Sequence, residues 1–379
     1  MTVDTKLWSY IALEAGEQSR VVTEAAAVLR QGGIVAFPTE TVYGLGADAR
    51  STEAVERIFA AKGRPSDNPL IVHIARMEQV EELALAASEL ERRLMARFWP
   101  GPLTLVLPVR SGAVSPRVTA GLDTVGIRMP DHALALRLIA AAGAPLAAPS
   151  ANRSSRPSPT TAQHVLEDLG GRIAGVLDGG PAGIGVESTV IRVDSATGRI
   201  HVLRPGGITA AQLQAAAPEA VILTAAGGAA ADESIPRSPG MKYAHYAPQG
   251  RLILVRPANP DELSPSHGRE PGPSASPDPA PGAERVARYI REELEQLRAA
   301  GETTGVLSFS RQPYSADLVM QCGADGQPEE AARQLYAALR RFDEAGVTFI
   351  LAESVPEEGL GQAVMNRLRK AAAGHIIDV

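Results

Sequence analysis

The segment I-V-A-F-P-T-E-T-V-Y-G-L-G, residues 34–46, gives the clearest indication of the fold class. Its first four residues, Ile34 to Phe37, form a short apolar run that predicts a buried strand. Thr39, Glu40 and Thr41 then place two hydroxyls and a carboxylate at the carboxyl end of that strand, where ligands bind in α/β folds. Taken alone, these residues would also fit an ordinary strand followed by a glycine turn.

Helix and strand patterns alternate on both sides of this segment. Predicted helices cover 19–31, 52–62, 77–98, 132–142 and 160–169, and Ser51 is a candidate N-cap for the second of them. Predicted strands cover 70–74, 103–109, 124–129, 146–148 and 188–193. G-L-G-A-D-A, residues 44–49, matches the loose dinucleotide pattern G-x-G-x-x-A, but no acidic residue closes a strand about twenty residues later. We interpret it as a tight turn, and residues 1–210 as a mixed α/β domain.

A second α/β pattern fills residues 251–379. Strands are predicted at 252–255, 305–309 and 347–351, and helices at 284–299, 328–343 and 360–373. This alternation predicts parallel β-α-β units in a small Rossmann-like three-layer domain. Residues 211–250 are predicted to be a linker with a helix near 209–216, and residues 257–283 to be a mobile Pro/Ser-rich loop. The linker contains S-P-G-M-K-Y-A-H-Y-A-P, which is unusually aromatic for an inert connection.

Composition narrows the class of protein. Of 379 residues, 45% are apolar, enough for two cores, and the single cysteine, Cys322, excludes an internal disulfide or a multi-cysteine zinc site. The net charge is −6, yet residues 1–210 hold 21 basic and 21 acidic residues, which argues against a dedicated nucleic-acid binder. No signal-peptide pattern and no apolar run of membrane-spanning length occurs, so a soluble, cytoplasmic protein without membrane contact is expected.

Two cations follow the predicted helix at 52–62. Lys62 and Arg64 lie in A-K-G-R-P-S-D-N-P-L-I-V-H, residues 61–73, where a Gly/Pro loop would hold them close together. Such a pair suits a polyphosphate, and His73 would flank the same opening. The alternative is that the cations only complement a helix dipole and that His73 is structural.

An arginine interrupts the predicted strand at 124–129. Arg128 stands between Ile127 and Met129, and a buried arginine is costly unless it meets an anion. A substrate carboxylate and a structural ion pair with Asp or Glu explain it equally well.

Three later segments carry short polar groups. A-A-P-S-A-N, residues 147–152, and the loop to Thr160 offer hydroxyl and amide donors before a helix, a fair phosphate site or an ordinary turn. In D-G-G-P-A-G-I-G-V-E-S-T-V, residues 178–190, four glycines before Glu187 permit close approach of a ligand. L-R-P-G-G, residues 203–207, adds the cation Arg204. The alternative is that these last two segments are only surface loops.

Familiar catalytic signatures are missing, since the sequence contains no Walker A loop, no H-E-x-x-H and no G-x-S-x-G. Taken together and in order, however, P-T-E-T-V-Y-G-L-G, K-G-R-P-x-x-N-P-L-I-V-H, W-P-G-P-L-T, R-M-P, A-P-S-A-N, G-V-E-S-T and L-R-P-G resemble the YrdC-like threonylcarbamoyl-AMP synthases. K-Y-x-H-Y-x-P matches the long, two-domain form of that family, so the resemblance covers nearly the whole chain.

The resemblance implies a fold and a reaction. The fold would be a twisted YrdC-like α/β N-terminal domain plus a smaller Rossmann-like C-terminal domain. The amine of L-threonine would capture CO2 or bicarbonate as a carbamate, and a carbamate oxygen would attack the α-phosphate of ATP and expel pyrophosphate, with Mg2+. The class would be nucleotidyltransferase, and the product would pass to a Kae1/TsaD-type transferase that modifies tRNA beside the anticodon.

The resemblance also implies site residues. The residues carried over for L-threonine are Thr39, His73, Arg128, Ala148 and Ser188. Those carried over for ATP are Lys62, Arg64, Ser66, Thr124, Ser150, Asn152, Ser158 and Arg204, with Tyr243 and His245 of the linker closing over the cavity as a lid. Lys62, Arg64, Ser150 and Asn152 are the expected catalytic residues, and no protein-bound metal is expected.

Other functions share parts of this pattern. A non-catalytic module binding double-stranded RNA or tRNA is the main alternative, opposed by the neutral charge of residues 1–210. A hydrogenase-maturation carbamoyltransferase would need paired cysteines, and the missing P-loop disfavours a kinase or other ATP hydrolase.

Overall fold

The computed structural model describes residues 4–224, 246–258, 282–323 and 327–379. Tyr243, His245 and nearly all of the segment 257–283 lie outside these ranges. Within them the chain forms one eleven-stranded and one five-stranded sheet, both covered by helices. In the described ranges, none of the helices has the length and apolar character that spanning a membrane requires.

The larger sheet is mixed. Its strands are β1 (Lys6–Ser9), β2 (Val35–Phe37), β3 (Gly44–Asp48), β4 (Ile71–His73), β5 (Leu103–Pro108), β6 (Thr124–Arg128), β7 (Leu146–Ala147), β8 (Gly175–Asp178), β9 (Thr189–Asp194), β10 (Arg199–Arg204) and β11 (Val221–Thr224). Their order is β1-β8-β2-β3-β7-β4-β6-β5-β9-β10-β11. The helices of this part are α1 (Ala15–Arg30), α2 (Thr52–Lys62), α3 (Gln79–Leu83), α4 (Glu89–Phe98), α5 (Pro116–Thr119), α6 (Ala133–Ala142), α7 (Ala162–Leu169) and α8 (Ala210–Ala216).

Helix α2 begins and ends where the sequence predicts. The Ser51 hydroxyl accepts a hydrogen bond from the backbone N–H of Ala54, which satisfies one of the unpaired donors of the first turn. At the other end, Gly63 adopts a left-handed conformation with φ of 61°, which glycine reaches without strain. The chain therefore turns sharply after Lys62, which is the last residue of the helix.

Two sequence-based assignments were wrong. Residues 44–48 are the strand β3, antiparallel to β2, and not a tight turn. The strand needs small residues, because a Cβ on Gly46 would lie only 2.8 Å from a ring carbon of Phe37. The helix predicted over 77–98 is two helices, because Ser88 and Glu91 form a capping box that starts α4 afresh.

The smaller sheet contains β12 (Arg251–Arg256), β13 (Thr304–Ser308), β14 (Leu318–Gln321), β15 (Phe349–Glu353) and β16 (Ile376–Asp378) in the order β14-β13-β15-β12-β16. Its helices are α9 (Gly282–Ala299), α10 (Pro328–Glu344) and α11 (Gly361–Ala371). Every strand pair is parallel. Side chains of α9 pack on one face of the sheet, and those of α10 and α11 on the other. The predicted three-layer, Rossmann-like architecture is confirmed.

The first and second parts of the chain share a buried apolar cluster. Val42 and Val186 from the first part belong to the same apolar cluster as Leu335 of α10 and Leu368 of α11. Strand β11, inside the segment predicted as a linker, pairs parallel with β10 and extends the larger sheet. We therefore propose that the first domain reaches Thr224.

Candidate active site

Most of the predicted site residues line one cavity. It contains about 720 Å³ of empty space, including its opening to solvent. It lies where loops following β2, α2 and β7 meet the ends of β4, β6 and β10. The predicted residues that line it are Thr39, Lys62, Arg64, His73, Arg128, Ala148, Ser150, Asn152, Ser188 and Arg204.

Lys62 is a buried cation held by backbone carbonyls. Its Nζ donates to the carbonyl oxygens of Ser150 at 2.6 Å and Asn152 at 2.5 Å, and the Asn152 Oδ1 is 3.4 Å away. Burial, reinforced by the charge of Arg64, holds the pKa of Lys62 well below its ordinary value. An anion bound next to Nζ would favour the charged ammonium, so the position suits a phosphate.

Arg64 extends the positive charge toward the cavity opening. Its Nη2 donates to the carbonyl of Pro69 at 3.3 Å, and its Nε is buried without a hydrogen-bond partner among the described residues. Burial lowers the pKa of Arg64 to about 10, with the nearby charge of Arg204 acting in the same direction. Cations this close repel one another, which an anionic ligand would relieve.

Arg128 forms a structural ion pair, which is one of the two explanations that the sequence analysis offered for this buried arginine. Its Nη2 lies 2.6 Å from Glu40 Oε1, while Nη1 donates to Thr41 Oγ1 at 3.0 Å and Nε to the Gly101 carbonyl at 3.2 Å. Only 4% of the Arg128 side chain is exposed. A guanidinium has five N–H groups, so these three contacts do not exhaust its capacity to bind a ligand carboxylate as well.

Thr39 and His73 form the wall next to Arg128. The Thr39 hydroxyl donates to the carbonyl of Val42 at 2.6 Å and lies 2.8 Å from the Thr41 hydroxyl. His73 Nδ1 is 3.3 Å from the carbonyl of Ile71. Burial, followed by the charge of Arg128, lowers the pKa of His73 to about 3, so its ring is neutral near pH 7. This wall therefore offers neutral hydrogen-bonding groups beside a fixed cation.

The pH dependence of stability tests the buried state of His73. An unfolded histidine titrates near pH 6.5, whereas His73 stays neutral in the folded chain down to about pH 3, so its contribution to stability is complete above pH 6.5 and declines as the pH falls. Between pH 7 and 5 we expect His73 to reduce the free energy of unfolding by about 2 kcal/mol. Urea unfolding of His73→Gln should show a shallower decline than the wild type. His201→Gln is the control, and equal pH dependence in the wild type and His73→Gln would contradict the prediction.

Ser188 and Arg204 form another part of the cavity wall. Arg204 Nη2 donates to the Ser188 carbonyl at 3.0 Å and to its hydroxyl at 3.2 Å. The Ser188 hydroxyl also lies 2.8 Å from that of Thr104 in β5. Burial lowers the pKa of Arg204. The two loops predicted separately, 178–190 and 203–207, thus meet through this arginine.

Several predicted residues lie elsewhere. Ser66 is exposed two residues after Arg64. Thr124 borders a smaller neighbouring cavity, which shares Ile71 with the first. Ser158 is buried behind the cavity wall, where its hydroxyl donates to Glu187 at 2.6 Å. Tyr243 and His245 lie outside the described residues, so the lid remains a prediction.

Eight lining residues are absent from the predicted set: Thr41, Val42, Gly44, Ile71, Pro149, Ser154, Glu187 and Tyr246. Thr41, Glu187 and Tyr246 each had a signal in the sequence. Thr41 and Glu187 lie within segments already selected, and Tyr246 is the second tyrosine of the unusual linker motif. Tyr246 is buried, and its ring stacks at 5.3 Å on that of Tyr336 from α10.

Within the described ranges no group of three or more His, Cys, Asp or Glu side chains is arranged to hold a metal ion. The cavity lining is instead dominated by cations and hydroxyls, which suit anionic ligands.

Comparisons with known proteins agree along the chain. Residues 27–206 match the Sua5/YciO/YrdC family model, described as telomere recombination, and residues 208–373 match the threonylcarbamoyl-AMP synthase C-terminal domain. A threonylcarbamoyl-AMP synthase of Bacillus subtilis is 51% identical over 379 aligned residues, covering 98% of this chain and 99% of that protein. The Pyrococcus abyssi protein of the same name is 48% identical, covering 94% and 95%.

A solved structure is similar to this chain along its length. The crystal structure of P. abyssi Sua5 complexed with L-threonine matches with a TM-score of 0.83 and 43% identity, and the match covers 100% of both chains. Sequence, architecture and cavity agree, and the chain belongs to the threonylcarbamoyl-AMP synthase family, in its two-domain form.

Proposed function

We propose that this member of an enzyme family forms threonylcarbamoyl-AMP and pyrophosphate from L-threonine, bicarbonate or CO2, and ATP, for the modification of tRNA. The observation that carries the proposal is the convergence of four cations, Lys62, Arg64, Arg128 and Arg204, on one cavity. The threonine carbamate and the ATP triphosphate are both anionic. Fixed cations are what a site needs to bring them together.

The cations would act by electrostatic stabilisation. A carbamate oxygen attacks the α-phosphorus of ATP, which enters with its Mg2+, and the bond from that phosphorus to the bridging oxygen of pyrophosphate breaks. Negative charge then grows on the leaving group, where positioned cations stabilise it. Holding both substrates in line supplies much of the remaining rate, and no protein nucleophile is required. The reaction class is that of a nucleotidyltransferase.

The chemistry of the lining residues suggests how the substrates divide between them. We assign L-threonine to the wall of Thr39, His73, Ala148 and Ser188, with its carboxylate on N–H groups of Arg128. We assign the phosphates to Lys62, Arg64, Ser150, Asn152 and Arg204, with Ser66 and Thr124 further along the nucleotide. Ser158 would act through Glu187.

Burial of the cations disfavours the alternative of an RNA-binding module. Lys62, Arg128 and Arg204 are 2%, 4% and 5% exposed. A polyanionic backbone binds cations that are displayed on a surface, whereas these three are buried in the lining of a cavity. We propose that tRNA is reached indirectly, when a Kae1/TsaD-type transferase receives the adenylate.

The identity of the product tests the proposed function. The purified chain is incubated with L-threonine, Mg2+, ATP and 13C-labelled bicarbonate, and the products are examined by mass spectrometry. We expect an adenylate that contains threonine and one 13C atom, formed in equal amount to pyrophosphate. Reactions that lack threonine or bicarbonate are the controls. ATP cleaved to ADP, or AMP formed without a labelled adenylate, would contradict the proposal.

A further inference from the structure

A buried cluster beside the cavity connects the second domain to the cavity wall. It consists of Arg367 on α11, Tyr336 on α10 and Glu187 in the loop before β9. Arg367 and Tyr336 are fully buried, and Glu187 is 7% exposed. Arg367 does not line the cavity, whereas Glu187 does.

Arg367 reaches two cavity loops at once. Its Nε donates to Glu187 Oε2 at 2.9 Å, and its Nη2 lies at the same distance from that oxygen. Its Nη1 donates to the carbonyl of Pro205 at 2.6 Å. Pro205 directly follows Arg204, and Glu187 directly precedes Ser188. One side chain of the second domain thereby fixes the neighbours of two residues that we place against the substrates.

Glu187 also holds other residues near the cavity through hydrogen bonds. The Tyr336 hydroxyl lies 3.0 Å from both of its carboxylate oxygens, and the Ser158 hydroxyl donates to Oε1 at 2.6 Å. The Arg367 guanidinium also lies 5.8 Å from the ring centre of Tyr246, another lining residue. Although burial opposes ionisation, the charges of Arg367 and Arg204 lower the pKa of Glu187 to about 2. The carboxylate therefore remains charged and keeps accepting these hydrogen bonds.

We propose that Arg367 is a positioning residue for the reaction: from the second domain it holds Glu187 and Pro205, and through them sets the positions of Ser188 and Arg204 in the cavity. The proposal rests on the proposed function. It gives the second domain a defined part in catalysis without contact to the substrate. Since small misplacements of substrate-binding groups cost rate, loss of Arg367 lowers the turnover of a molecule that is still folded.

The test compares two replacements of Arg367 with a matched control. Arg367→Met removes the charge and both contacts, and Arg367→Lys keeps a cation beside Glu187. Arg369→Met, on the same helix, removes an exposed ion pair with Glu357 and is the control. The rate of threonine-dependent pyrophosphate release is measured per folded molecule, with the folded fraction taken from circular dichroism.

We expect Arg367→Met to lower kcat by about 100-fold, with less than about threefold change in KM for ATP. Arg367→Lys should recover part of the loss, and Arg369→Met should behave as the wild type. Wild-type kcat in folded Arg367→Met would overturn the proposal. If that variant does not fold, Arg367→Lys decides: a kcat below that of the wild type supports positioning, and wild-type kcat overturns it. A wild-type enzyme without threonine-dependent release would refute the proposed function instead.

Discussion

Replacing Lys62 with alanine is expected to lower the rate of pyrophosphate release by about 10²–10³-fold. The ammonium is fixed at the end of α2 by the carbonyls of Ser150 and Asn152. Its contact with Asn152 Oδ1 is long, at 3.4 Å, so the third N–H can turn to a phosphate oxygen. Removing a positioned donor from a buried site loses stabilisation of the transition state that water cannot replace.

Steady-state kinetics of Lys62→Ala and of Lys6→Ala measure this effect. Lys6 is exposed and pairs with Glu24 at the far edge of the larger sheet, so its variant should keep the wild-type rate. If Lys62→Ala retained more than a tenth of the wild-type kcat, Lys62 would not be stabilising the phosphates during the reaction.

Replacing Arg340 with methionine is expected to destabilise the protein by about 3 kcal/mol. Arg340 on α10 is 1% exposed, and it donates to both oxygens of Asp168 at 3.2 and 2.8 Å and to the Pro157 carbonyl at 2.5 Å. With methionine at position 340, less positive charge would compensate the buried Asp168 carboxylate. Arg156 also pairs with Asp168, at 2.6 Å, and compensates part of its charge. The expected loss of stability is therefore at the lower end of the range for a buried ion pair that loses one partner.

Urea unfolding followed by circular dichroism measures this loss. Arg341→Met, which breaks an exposed pair with Glu344 on the same helix, is the control and should change stability by less than about 0.5 kcal/mol. A loss below about 1 kcal/mol for Arg340→Met would mean that the Arg340–Asp168 pair does not join the two domains energetically.

Local signals explain what the sequence predicts well. Helix α2 is recognisable because Ser51, an apolar stripe and Gly63 lie within one continuous segment. Strand β3 is missed because Gly44 and Gly46 suggest a turn, and only packing against Phe37 reveals why a strand requires them. Ser88 and Glu91 were a local signal for the break between α3 and α4. The break was missed because the apolar periodicity favoured one continuous helix.

The candidate site, too, is predictable from the sequence only in part. Most lining residues fall in segments that stand out by composition, and a resemblance to a family orders them into one site. The partners of Arg128 and Arg367 do not follow from pattern. Arg367 and Glu187 are 180 residues apart in sequence, and an arginine within an amphipathic helix predicts only a solvated face. Arg128 meets Glu40 only when the first domain is folded, and Arg367 meets Glu187 only when the two domains are placed together.

Threonine dependence of pyrophosphate release is the most direct test of the central claim, that the cation-lined cavity joins a threonine carbamate to ATP. The wild-type chain is given Mg2+, ATP and bicarbonate, with and without L-threonine, and pyrophosphate is measured over time. The account predicts release that requires threonine. Release at the same rate without threonine, or none in either case, would contradict it.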